Sequence, residues 1–213
     1  MKIYAISGLG ADERVFQYLD LKYEIIPIQW ITPKSNESLA AYAHRLSEQI
    51  DQSKPYYLLG VSFGGMLATE MTKFLNPECC ILISSAERST DLPSFSKFLN
   101  PIKILNWIPS NFLKLPKPLM YWLFGTENKQ LLGQILDDTD LDFVKWALIQ
   151  ILQWDKKEYF SNTLKIHGTS DKVIPVKNKT KTQLIPQGGH FMIIDKAKEI
   201  STLINEKLSS RKN

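Results

Sequence analysis

Cysteine is scarce in this 213-residue chain: there are two, Cys79 and Cys80, side by side. Neighbouring cysteines rarely bridge each other, and both fall in the apolar run C-C-I-L-I. They read as small core residues kept reduced, not as a disulfide framework. That usage fits a reducing compartment. A charge excess is also lacking: 26 basic against 22 acidic residues leave a net +4. With no dense Arg/Lys stripe, zinc-ligand spacing or RNP-like motif, nucleic acid is not an expected partner. No run of 18 apolar residues occurs, so neither a spanning helix nor stable membrane insertion is expected. The opening M-K-I-Y-A-I-S-G-L-G has too short an apolar stretch for a secretory signal, and a cytoplasmic protein is expected. Repeats and low-complexity segments are missing, and no feature of the sequence sets an oligomeric state. A chain of this length buries roughly 70% of its unfolded surface and so needs no covalent staple. A single domain, 1–213, carrying an insertion is the expectation.

What is present is alternation. Strands are predicted at 2–7, 24–28, 56–60, 79–85, 163–168 and 181–186. Helical patterns fall at 11–19, 64–75, 196–208 and 37–50, the last with Leu39, Ala40, Ala43, Leu46 and Ile50 on one face. Strands alternating with helices predict an α/β fold: a mostly parallel sheet of about six strands with helices on both faces. Sites in such folds are built by loops at the carboxyl ends of the strands.

Residues 88–160 break this alternation. Between Leu92 and Thr126 they carry Phe95, Phe98, Trp107, Phe112, Tyr121, Trp122 and Phe124, together with Lys97, Lys103, Lys114 and Lys117 and no acid. The stretch reads as an inserted, mostly helical cap, leaving 1–87 and 161–213 as the core. Its aromatics are either the cap's own core or, for some, the lining of an apolar substrate pocket. A membrane-surface role for its basic, apolar face is the weaker reading.

Residues 60–65 read G-V-S-F-G-G. A G-x-S-x-G match alone is a modest signal, since a plain glycine-rich turn has the same letters. Here Ser62 directly follows a predicted strand and precedes a predicted helix, the context a nucleophile elbow needs. A tight strand-to-helix turn strains its central residue and leaves no room for side chains two positions away, where Gly60 and Gly64 stand. The helix that follows would aim its positive end at the site.

A serine hydroxyl is a weak nucleophile and needs a base. Three histidines are available. His44 lies mid-helix between Ala43 and Arg45, and His167, in I-H-G at a strand end, reads as a turn support. His190, in Q-G-G-H-F after the last strand, is the best candidate. The base needs an orienting acid, and H-G-T-S-D places Asp171 in the loop after the penultimate strand. Glu87, in S-S-A-E-R, is the fallback. An oxyanion hole needs two backbone N–H donors. Phe63, after the nucleophile, would supply one. Leu9, in the turn I-S-G-L-G-A-D after the first strand, would supply the other. That turn lacks a full G-x-G-x-x-G, so dinucleotide binding is poorly supported.

Four pieces, S-G-L-G, G-V-S-F-G, H-G-T-S-D and G-G-H-F, thus fall in one order. With them the chain resembles the α/β-hydrolase superfamily over nearly its whole length, as a small esterase-like member. The resemblance implies Ser62 as nucleophile, Asp171 as acid, His190 as base, and Leu9 and Phe63 as oxyanion donors. It places the cap 88–160 between the sixth and seventh family strands and calls for no cofactor and no metal. The first two family strands are missing, which leaves the order 4-3-5-6-7-8 in the family's numbering. Many relatives have His-Gly where this chain has Ser7-Gly8. The implied activity is a serine hydrolase that cleaves a small ester, thioester or related acyl compound through an acyl-enzyme. Lyase, acyltransferase or peptidase chemistry on the same residues, and a non-catalytic small-molecule binder, are the alternatives.

Overall fold

Six runs of the chain form strands: β1 (Lys2–Ile6), β2 (Glu24–Pro27), β3 (Tyr56–Val61), β4 (Cys79–Ile83), β5 (Thr163–Gly168) and β6 (Gln183–Ile185). All their pairings are parallel, and they make one sheet in the order β2-β1-β3-β4-β5-β6. This is the strand order expected from the sequence. The computed structural model describes residues 1–93 and 101–210, the side chain of Pro101 excepted.

The central strands β3 and β4 are buried at every residue. Their sequences, YYLLGV and CCILI, are therefore apolar throughout, as expected of a parallel sheet covered on both sides. Alternate side chains feed two cores. On one face Ile3, Tyr57, Leu59, Ile81 and Ile83 pack with the helices α7 (Met192–Asp195) and α8 (Ala197–Ser209). On the other, Tyr4, Ile6, Leu58, Cys80 and Leu82 pack with α1 (Leu39–Leu46) and α2 (Phe63–Met71).

Several elements differ from the sequence pattern at their ends. Residues 11–19 hold only a 3-10 turn, Glu13–Phe16, started by Asp12, whose carboxylate accepts from the Arg14 N–H. Within 37–50 the α-helix begins at Leu39 because Ser38 caps it, accepting from the Ala41 N–H. Its buried face holds Tyr42 where the pattern puts Ala40, which is exposed. The Tyr42 hydroxyl donates to the Ile31 carbonyl at 2.8 Å, so the ring can be buried with its polar end satisfied.

Between β4 and β5 the described residues form the α-helices α3 (Pro101–Trp107), α4 (Lys117–Phe124), α5 (Lys129–Asp138) and α6 (Leu141–Gln153). α6 joins the α1/α2 face through stacked, tilted and edge-on rings of Trp30, Tyr42, Phe63, Phe143 and Trp146, with centroids 4.6–6.3 Å apart. α5 buries Leu131, Leu132 and Ile135 in the opposite core. The aromatics of 92–126 serve neither purpose uniformly. Tyr121 and Phe124 pack against the core, whereas Trp107, Phe112 and Trp122 are exposed. Phe95, Lys97 and Phe98 lie outside the described residues.

Candidate active site

Because every strand runs the same way, all the carboxyl ends meet at one edge, and the loops carrying Gly8–Leu9, Ser62, Asp171 and His190 meet with them. Ser62 sits between β3 and α2 with φ 52° and ψ −120°. For a residue with a Cβ this is a strained conformation. It is held from three sides. The Ser62 N–H donates to the Ile83 carbonyl, and the Ser62 carbonyl accepts from the Gly65 N–H at 3.0 Å and from the Ser85 hydroxyl at 2.7 Å. The Ser62 side chain does not cap α2, which leaves its hydroxyl for another partner.

The flanking glycines are required by close approach. A Cβ on Gly60 would drive into the Gly65 backbone, and one on Gly64 into the carbonyl oxygens of Ser7 and Ile6. The second contact is with the end of β1, so Gly64 lets α2 start directly against the loop that carries Leu9.

His190 Nε2 lies 2.9 Å from Ser62 Oγ, and His190 Nδ1 lies 2.8 Å from Asp171 Oδ2. His190 and Asp171 are 4% and 6% exposed, so this contact is shielded from water. With Nδ1–H donating to the carboxylate, Nε2 is left as the acceptor of the serine proton. The Asp171 Oδ1 accepts from the N–H groups of Val173 and Ile174, each at 2.9 Å. The segment K-V-I-P, which reads as ordinary loop, thus wraps the acid.

The sequence gives little hint of the second histidine at this acid. His167 Nε2 lies 2.6 Å from the Ile174 carbonyl and 3.1 Å from Asp171 Oδ2. Facing two acceptors, that nitrogen carries the proton. Burial would raise the Asp171 carboxyl, but it is outweighed by hydrogen bonds from His167 and His190, the electrostatic attraction of the His190 ring and the Ile174 N–H. The carboxyl is held well below the usual carboxylate range. The only cue was the spacing of His167 and Asp171, four residues apart across the H-G-T-S-D turn. Glu87 is elsewhere: it accepts from the Thr163 hydroxyl and the Phe160 N–H and lies 3.9 Å from Lys165 Nζ. Burial raises its carboxyl. His44 is exposed, its ring 5.1 Å from that of Phe74.

Leu9 and Phe63 both line a cavity of about 340 Å³ that reaches Ser62 and His190. Phe63 is the first residue of α2, so its N–H has no partner within the helix. The Leu9 loop is tied down by Ser7, whose hydroxyl donates to the Ala11 carbonyl at 2.8 Å, and by Trp30 Nε1, 2.7 Å from that carbonyl and 3.0 Å from Ser7 Oγ. Ser7 thus pins this loop. The cavity wall is aliphatic, with Met66, Leu132, Ile135, Val144, Leu148 and Ile151 among its residues. Its polar residues include the exposed pair Lys117–Asp137, 2.6 Å apart.

The structure of an esterase from Thermogutta terrifontis matches 99% of this chain and 90% of its own at 13% identity, with a TM-score of 0.74. MenH from S. aureus matches 100% and 95% at 18% identity, TM-score 0.70. A lipase-esterase related protein from Clostridium acetobutylicum matches 96% and 93% at 19% identity, TM-score 0.71.

This chain has the α/β-hydrolase fold.

Residues 17–79, which include Ser62, also match the thioesterase domain family. No curated protein matches the sequence. The thioesterase match supports a hydrolase. Among the described residues of this α/β-hydrolase fold, no helix is long and apolar enough to cross a membrane.

Proposed function

We propose that the chain is a serine hydrolase acting on esters or thioesters with an apolar acyl group. The observation that carries this reading is the run of contacts Ser62 Oγ–His190 Nε2–Asp171, 2.9 and 2.8 Å, on a serine with φ 52°. His190 takes the Ser62 proton as Oγ attacks the carbonyl carbon. Asp171 holds the ring in the required tautomer and balances the imidazolium. The N–H groups of Leu9 and Phe63 receive the oxyanion, aided by the N-terminus of α2. His190 then protonates the leaving alcohol or thiol, and water, activated by the same histidine, hydrolyses the acyl-enzyme. No cofactor or metal enters these steps.

Residues 88–160 act as a cap in this reading, because α4, α5 and α6 supply much of the cavity wall over Ser62. At about 340 Å³ the space has room for a small apolar acyl group. The thioesterase match makes an acyl thioester the first substrate to try.

Ser62→Ala is expected to lower turnover of p-nitrophenyl and thioester substrates by at least roughly a thousandfold and to abolish labelling by a fluorophosphonate probe. Unchanged turnover in that variant would sink the reading. Preference should rise with acyl length up to the capacity of the cavity. A preference for charged acyl groups would refute the assignment of the cavity.

A further inference from the structure

The stretch 112–123 carries apolar side chains on both of its sides. Leu113, Met120 and Leu123 line the cavity, while Phe112, Leu119 and Trp122, their neighbours in the chain, face solvent. The sequence of α4, KPLMYWLF, has six apolar residues of eight, and none is buried. A helix without a polar face belongs against a second apolar phase. Six of the ten exposed large apolar side chains among the described residues fall within 104–122, and Trp107 is 92% exposed and Phe112 75%. Concentrated exposure of this kind marks an interaction site.

The charge carried by the segment itself is of one sign. No acid occurs between Leu92 and Thr126, where Lys103, Lys114 and Lys117 are found. Two lysines from outside are fastened to the segment. Lys145 Nζ donates to the Ile108 carbonyl at 2.8 Å. Lys172 Nζ donates to the Trp122 carbonyl at 3.1 Å and stands 4.1 Å from the centroid of its ring. Asp137 reaches the segment from α5 and is paired with Lys117. A second copy of this chain would set like charges together, so the face fits an anionic partner. Tryptophan with lysine beside it suits the headgroup layer of a bilayer. The aliphatic cavity beneath the same segment takes molecules that partition into such a layer.

We propose that residues 104–122 dock this protein on the surface of an anionic phospholipid bilayer, from which an acyl substrate passes to the cavity. The identity of that substrate rests on the hydrolase reading, whereas the docking does not.

The test is co-sedimentation with vesicles of phosphatidylglycerol and phosphatidylcholine against vesicles of phosphatidylcholine alone. Binding is expected to the anionic vesicles, with a blue shift of tryptophan emission, and to weaken about tenfold in ~0.5 M salt. Trp107→Ser with Phe112→Ser should weaken binding about tenfold or more while turnover of soluble p-nitrophenyl butyrate and the melting temperature hold. Absence of binding to anionic vesicles, or equal binding by wild type and the double variant, would overturn the proposal. So would capture by an acidic protein in place of the vesicles. Ser62→Ala should sediment like the wild type. If it also kept full ester turnover, the hydrolase reading would fail and the docking result would stand.

Discussion

Asp171 collects four donors, two backbone N–H groups on Oδ1 and two histidines on Oδ2. His167 is a positioning residue in this arrangement: it holds Asp171, and through Asp171 the ring of His190. His167→Ala leaves the buried Ile174 carbonyl unpaired, which should cost about 1–3 kcal/mol. It also removes one of the bonds that lower the Asp171 carboxyl. A depressed carboxylate contributes stability in full above its unfolded value near ~4, and that contribution is lost as pH falls through the folded value. The stability gap between wild type and His167→Ala should therefore be widest above about pH 4 and shrink below it, measured by denaturant titration across pH. A pH-independent gap would show that His167 acts only through Ile174. His167→Ala should also lower kcat, because Asp171 is held less firmly against His190, and His167→Gln, which keeps a donor, should recover part of that loss. At Gly64 the added methyl of Gly64→Ala meets carbonyl oxygens of Ser7 and Ile6 that cannot yield. A loss of about 1–3 kcal/mol is expected, along with lower turnover, because the Leu9 loop begins at Ser7. A thermal melt and an ester assay check both.

Among the elements, α4 and the His190 loop are joined more closely than their separation in sequence suggests. α4 ends at Gly125 in the left-handed conformation, φ 60°, where glycine is strain-free. The carbonyl of Phe124 accepts from the Phe191 N–H at 3.1 Å, and the Phe124 ring stands edge-on to His190 at 5.2 Å. A Cβ on Gly189 would strike the carbonyl oxygens of Gly125 and Phe124. Gly189→Ala should push the His190 loop off α4 and lower kcat by up to roughly 100-fold, since a misplacement of about 1 Å is enough. KM for a short ester should change little. Unaltered kcat would mean that the loop holds its place without α4. The pair of glycines before His190 was visible in the sequence as freedom to deliver an imidazole. That Gly189 is needed for contact with α4 was not, because the partner lies over sixty positions earlier in the chain.

The whole molecule is organised around a sheet buried on both faces, and its two thiols sit in the middle of it. Cys79 and Cys80 are both 0% exposed, and burial pushes the Cys80 thiol well above its ordinary value. A thiol that is neither ionised nor reachable does not react. Iodoacetamide should leave the native protein unmodified and label both cysteines at the rate of unfolding, as read by mass spectrometry. Labelling in native buffer without loss of structure would place the thiols nearer the surface than β4 allows.

Strand–helix alternation, the two-sided burial of YYLLGV and CCILI, and the ordering of G-V-S-F-G-G, Asp171 and His190 were all legible in the sequence, because each depends on local pattern and chain order. Ends of elements were less so, since caps such as Ser38 and a satisfied hydroxyl such as that of Tyr42 override periodicity. Tertiary structure alone decided three matters. It brought the Ser62 hydroxyl to 2.9 Å from His190 Nε2 across 128 positions. It gave Asp171 a second histidine. It turned Trp107, Phe112 and Trp122 outward, where composition allowed core or pocket. Composition states that a side chain is apolar. Which surface it meets depends on what the rest of the chain packs against it, and around these three rings it packs little.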